Sequence, residues 1–259
     1  LLFYRIFPVI LPPDKPDPYE MNKQENTYPQ KRQFRVPFGD LQMTIEETAR
    51  VMGYEPKDLV PPIDTLLQEA LKQAGTLIQI EGGLLLYDVI MDETTKSLLI
   101  NGNQLRVKAK IFRELKGSEK IAVFLCTAGN KIGEISKEHM QNGNLLEGYI
   151  YDTIGSAAVE KAMDMIQESF RKEMKAMGYE ITNRYSPGYC GWETAGQFDL
   201  FRLFPSGFCH VTLNDSALMN PIKTVSGVIG IGKNVVYNDY NCDLCELVNC
   251  IYRKTKDMR

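Results

Sequence analysis

Only two histidines occur in 259 residues, and neither has the company that hydrolytic chemistry needs. Cys209 and His210 are adjacent; read as part of a strand they point to opposite faces, which is wrong for a nucleophile–base pair, and His139 sits on a polar helix where exposure is expected. Positive charge is not in surplus either. Thirty Lys and Arg stand against 33 Asp and Glu, a net charge of −3, so nucleic acid is excluded as a partner on the ground that phosphate neutralisation needs clustered cations. No run of about twenty uncharged apolar residues is present, so no membrane span is expected. Internal repeats and low-complexity tracts are missing too. The apolar opening LLFYRIFPVILPP is broken by Arg5 and Pro8 and has no small-residue cleavage site, which makes it a poor signal peptide. Together with the proline-rich PPDKPDPYE, it leads us to expect residues 1–20 outside the fold, ahead of one domain over 21–241 and a cysteine-containing tail over 242–259.

What is present suits a globular chain: 44% of residues are hydrophobic, ordinary for a packed core. Of the six cysteines, Cys126, Cys190 and Cys209 are dispersed, while Cys242-x-x-Cys245-x-x-x-x-Cys250 is crowded. Without an export signal, reduced thiols and a cytoplasmic location are expected. Thiolates at the tail's spacing can converge on one soft metal ion, such as zinc, or on an iron–sulfur cluster, with Cys190, Cys209 or His210 completing the set. The plainer alternative is three reduced thiols with no metal.

Hydrophobic spacing outlines the elements. Residues 22–43 read as an extended lead-in. A short helix follows over Met43–Met52, with Thr44 able to cap and Gly53 to stop it, and a second helix runs from Pro62 to Ala74 with Gly75 after it. From Thr76 to Ile100 the pieces TLIQI, LLLYDVI and SLLI, broken at Gly82-Gly83 and Asn101-Gly102, read as consecutive hairpins. Arg106–Leu115 is helical and Lys120–Cys126 a buried strand, with a TAGNKIG turn after it. Leu146–Met174 is the longest periodic segment and should be a central helix of roughly 42 Å, carrying the small-residue patch Gly155-Ser-Ala-Ala158. Strands over Tyr179–Asn183, Phe208–Leu213 and Thr224–Ile231 and a short helix over Thr194–Phe204 complete the chain. The expected class is α+β: a twisted, largely antiparallel sheet packed on one long helix with shorter helices around it.

The least interchangeable stretch is Arg184 to Gly232. Ser186-Pro187-Gly188 combines a fixed φ with a permissive one and predicts a tight turn, flanked by Arg184 and Tyr189. A five-donor planar cation, a phenol and free backbone groups there suit a small molecule bearing a carboxylate and a flat ring. The glycines of Gly227-x-x-Gly230-x-Gly232-Lys233 do not form a phosphate loop, since no Ser or Thr follows the lysine and no strand-to-helix turn is expected; they read as a glycine-rich strand.

Arg184-Tyr-Ser-Pro-Gly188-Tyr189 resembles the R-x-x-x-G-Y element of the activation domain of cobalamin-dependent methionine synthase. Leu213, Ser216, Met219, Pro221 and Val225-Ser226-Gly227 follow that domain's L-T-E-S-x-x-M-x-P-x-x-S-V-S-G signature without a gap. The resemblance covers about residues 150–232. It implies a pocket for S-adenosylmethionine (AdoMet) in which Arg184 binds the ligand's carboxylate, Glu160 its cationic end, and Tyr189, with Gly188 and the Tyr185 backbone, shapes the walls. Glu160 enters by alignment through Arg171-Lys172-Glu173, and Tyr237 by its register from Ser226-Gly227. Asn214, Asp215 and Asn220 depart from the signature, and an aspartate used near the family's N-terminal end has no counterpart. The implied partners are a corrinoid-binding methionine synthase chain carrying cobalamin and a flavodoxin-like electron donor. The alternatives are a redox or metal-binding accessory protein for another corrinoid methyltransferase, whose electrons the cysteine tail carries, and a module that keeps the fold without the ligand.

Overall fold

The computed structural model describes residues 30–238, and within them every strand pairing is antiparallel. The segment read as an extended lead-in contains a strand, β1 (Gln30–Val36). Helix α1 (Ile45–Val51) starts where expected, because the Thr44 hydroxyl accepts the Glu47 amide and satisfies one of the orphan donors of the first turn. Helix α2 (Ile63–Leu77) does not stop at Gly75 but continues to Leu77, two residues into the expected first strand.

Strand β2 (Ile80–Asp92) is the main correction to the hairpin series, since it runs straight through Gly82-Gly83. The Phe34 and Phe208 rings pack over Gly82 and Gly83, where any side chain would collide with them. The glycines are therefore packing sites in a strand, not a turn. The turn at Asn101-Gly102 is as expected: both residues have positive φ and join β3 (Ser97–Ile100) to β4 (Asn103–Arg106). Helix α3 (Ala109–Glu114) precedes β5 (Lys120–Thr127), and the expected TAGNKIG turn gives way within the motif to α4 (Lys131–Gln141).

Helix α5 (Leu145–Ala176) has 32 residues and so spans roughly 48 Å. Gly155 lies well inside it, against Lys223 and Ile132. After α5 come β6 (Glu180–Tyr185), α6 (Gly196–Phe201), the short pair β7 (Thr212–Leu213) and β8 (Met219–Asn220), and β9 (Thr224–Gly232). The expected strand over Phe208–Leu213 is instead a single 3-10 turn at Phe208–His210 followed by β7, because Cys209 and His210 both have positive φ and cannot extend. The opposite-face argument for that pair therefore does not apply.

The seven-stranded sheet runs β4-β3-β2-β5-β9-β6, with β1 paired to the first half of β2. All residues of β5 from Ile121 to Thr127 are buried, as they must be in a strand covered on both faces. One face packs on α5 through Phe124, Ile154, Ala158, Ala162 and Ile229; the other packs Leu125, Val228, Tyr185 and Trp192 against α3 and α6. The α+β architecture read from the sequence is the one observed.

Candidate functional site

Residues 160, 164 and 167 of α5 follow the i, i+4, i+7 spacing that puts side chains on one stripe of a helix. That stripe faces β6, and there it meets Arg184. The guanidinium donates from Nη2 to Glu160 Oε2 at 2.8 Å, and from Nη1 to Asp164 Oδ1 at 2.7 Å and to Gln167 Oε1 at 3.0 Å. Burial pulls the Arg184 pKa down, but Glu160 and Asp164 more than offset it, so the value lies above the ordinary one and the charge is permanent. Asp164 is the solvated partner, 60% exposed against 29% for Glu160.

Arg184 is the penultimate residue of β6, not the edge of a loop. A register shift between Ile181 and Arg184 re-aims the strand, and pairing resumes with Arg184 opposite Ile229. Beyond Tyr185 the chain leaves the sheet. Tyr189 N–H donates to the Ser186 carbonyl at 3.1 Å and Gly188 has φ +95°, which makes Ser186–Tyr189 the Pro-Gly turn that the sequence predicts. A second turn follows, with Trp192 N–H on the Tyr189 carbonyl, and Gly188 N–H bonds back to the Trp192 carbonyl at 2.7 Å. The loop is therefore stiff and holds Tyr189 half-exposed. Tyr185 alternates to the far face of the sheet, where its ring is buried with Trp192 and Leu200; its side chain does not join the Arg184 group.

Tyr237 does join it. Its ring lies under the Arg171 guanidinium, 4.4 Å from Cζ to the centroid. Burial raises its pKa, the Arg171 charge opposes the rise, and Asp164 and Arg184 are close enough to act on it too. Asn183 fixes this segment: its amide donates to the Asn238 carbonyl at 2.5 Å and its oxygen accepts the Asn238 N–H at 2.8 Å. Of the expected residues, Glu160, Arg184 and Tyr237 thus converge, Gly188 and Tyr189 lie on the adjoining turn, and Cys242, Cys245 and Cys250 lie outside the described residues. Asp164 and Gln167 were not anticipated, although their spacing from Glu160 was a readable signal.

The second motif is built for packing. Ser226 Oγ donates to Gln197 Oε1 at 2.9 Å, with both residues buried, and Lys223 Nζ reaches Asp152 Oδ1 at 2.6 Å and Ser156 Oγ at 2.9 Å, tying this turn to α5. Asn214 tightens the preceding turn by accepting the Ser216 and Leu218 amides. The thiol within electrostatic reach of Arg184 is Cys126, and it is held protonated. Burial pushes the Cys126 pKa up, with Cys209 and Glu160 adding and the Arg184 charge only partly opposing, and Cys209 is pushed up to about 12 by burial and by Glu81. Among the described residues no group of three or more His, Cys, Asp or Glu is placed to hold a metal ion, and no helix is long and apolar enough to cross a membrane. Two clefts of about 220 Å³ lie elsewhere, one at the α6–β7 segment and one between α2, α4 and α5. His139 lines the second, half-buried and stacked on Tyr151, and not exposed as its polar helix suggests.

No family model matches the chain, and no curated protein does. Among solved structures it is similar to the MetH reactivation domain bound to AdoHcy, with a TM-score of 0.58 and 14% identity over 80% of each chain. At that identity the likeness establishes a shared fold.

Proposed function

We propose that this protein binds AdoMet at the Arg184 group and serves as the reactivation component of a cobalamin-dependent methionine synthase. The observation that carries the reading is the meeting of Arg184 with Glu160 at 2.8 Å, in a fold similar to a reactivation domain that was crystallised with AdoHcy. The donor set fits the ligand: a fork of donors for a carboxylate, two acids for an ammonium and a sulfonium, and a half-exposed phenol on a stiff turn for a flat base. The chemistry that bound AdoMet supplies is donation of a methyl group to a reduced corrinoid on the partner chain, with the electron from a flavodoxin-like donor. Arg184 anchors, Glu160 complements positive charge, and Asp164, being solvated, is the acid that yields when the ligand carboxylate takes its place. Positioning and electrostatics are the whole contribution, and no side chain acts as a nucleophile.

Calorimetric titration with AdoMet and with AdoHcy tests the proposal. AdoMet is expected to bind in the micromolar range and tighter than AdoHcy, because only the former carries a sulfonium for Glu160 to face. Failure of both to bind overturns the reading.

One observation favours the reading in which the tail also serves redox chemistry. Asn238 is bonded to Asn183, next to Arg184, and Cys242 follows four residues later, a contour of at most about 14 Å. On this reading Cys242, so tethered, and Cys245 and Cys250 after it in sequence would be the ligands of zinc or of an iron–sulfur cluster. Anaerobically purified protein should then contain metal and, for a cluster, absorb in the visible. Colourless, metal-free protein in which all three tail thiols are freely alkylated removes this second reading and leaves the first intact.

A further inference from the structure

The cleft between α2, α4 and α5 has the construction of a small cation site. Its apolar lining is Leu66, Ala70 and Ile150. One wall is an aromatic pair, His139 and Tyr151, stacked with centroids 5.2 Å apart and planes 23° from parallel. Tyr151 is also held at its other end, its hydroxyl donating to Gln73 Oε1 at 2.7 Å. Glu69 and Glu147 complete the lining, which contains no Lys or Arg. Two like charges lining one concavity with apolar residues between them give it a negative potential. The Glu69 charge is close enough to act on Tyr151, adding to the rise in its pKa that burial causes.

We propose that this cleft binds a small organic cation, of the quaternary ammonium or methylated amine class, between the His139–Tyr151 wall and the carboxylates of Glu69 and Glu147. At about 220 Å³ it is smaller than the roughly 300–1,000 Å³ of pockets that take drug-sized ligands, which limits the occupant to a compact head group. Aromatic faces and acids together are the means by which proteins select such cations over neutral molecules of the same shape. The site is separate from the Arg184 group, since Tyr151 precedes Glu160 by nine residues, about 14 Å along α5.

Calorimetry on the full chain with choline, and with its neutral isostere 3,3-dimethylbutan-1-ol, tests this. Choline should bind at least about tenfold tighter than the alcohol, a difference worth one decade of Kd. The double variant Glu69→Gln/Glu147→Gln should lose that preference with its Tm unchanged, since both acids are peripheral to the core, and AdoMet binding should be unaffected. His139→Leu should weaken choline while keeping the packing against Tyr151. Equal binding of choline and the alcohol, no heat at millimolar choline, or displacement of choline by AdoMet would each overturn the proposal. The last outcome would move the AdoMet site itself, whereas the first two leave the Arg184 reading standing.

Discussion

Alanine at position 227 is expected to cost about 3 kcal/mol or more of stability, lowering Tm by about 10 °C in a chain of this size. A Cβ there would lie 2.2 Å from the Tyr185 carbonyl oxygen, 2.8 Å from Ser186 Oγ and 2.9 Å from Phe124 Cε1. The phenyl edge and the hydroxyl can shift. The carbonyl cannot, because it belongs to the last ladder pair between β6 and β9, Tyr185 opposite Val228. Relief therefore requires the end of β6 to lift from β9, and that end carries Arg184. Thermal melts of Gly227→Ala should show the loss, and the folded fraction at low temperature should bind AdoMet more weakly than the wild type. A Tm within about 2 °C of the wild type would mean that the close approach is not enforced, and that the final glycine of Val225-Ser226-Gly227 needs another explanation.

Substitution of Arg184 is expected to separate binding from folding. In Arg184→Ala the ligand carboxylate loses its charge-assisted fork, worth about 3 kcal/mol, so AdoMet affinity should fall by about 100-fold or more. The variant should nevertheless fold. Its unpaired acids are 29% and 60% exposed and solvent screens them, while the buried Gln167 loses a donor, so the stability loss is about 2 kcal/mol. Lysine at the same position keeps the charge but not the planar fork, and about a tenfold loss is expected. Titration calorimetry beside thermal melts distinguishes these outcomes. Unchanged affinity in the alanine variant would remove Arg184 from the site.

Which parts of this architecture could be read without coordinates follows from where the determining contacts lie. Helix α5 was legible because 32 consecutive residues carry one periodic signal, and Thr44 because a cap is satisfied three residues away. Gly82-Gly83 misled because the reason for those glycines is two phenylalanines at positions 34 and 208, remote in the chain, and a local rule assigns such a pair to a turn. The Phe208–Leu213 strand failed on two left-handed residues, Cys209 and His210, whose identities do not announce that conformation. At the site, the Pro-Gly turn followed from chemistry alone, whereas the partnership of Arg184 with Glu160 came through family resemblance and now has a distance. The extra acceptors, Asp164 and Gln167, stood one and two turns along the same helix face. Their relevance depended on knowing that β6 crosses there.

The reciprocal pairing of Asn183 with Asn238 has a bearing on how copies of this protein behave in concentrated solution. Among the described residues strand β6 is the outermost member of the sheet, and an uncovered outer strand is a template on which another chain can extend the ladder. By giving its carboxamide to the passing main chain, Asn183 occupies part of that rim with the protein's own backbone. A truncation that removes Asn238 would therefore do more than shorten the chain: it would open a seam for self-association beside Arg184 and its acids.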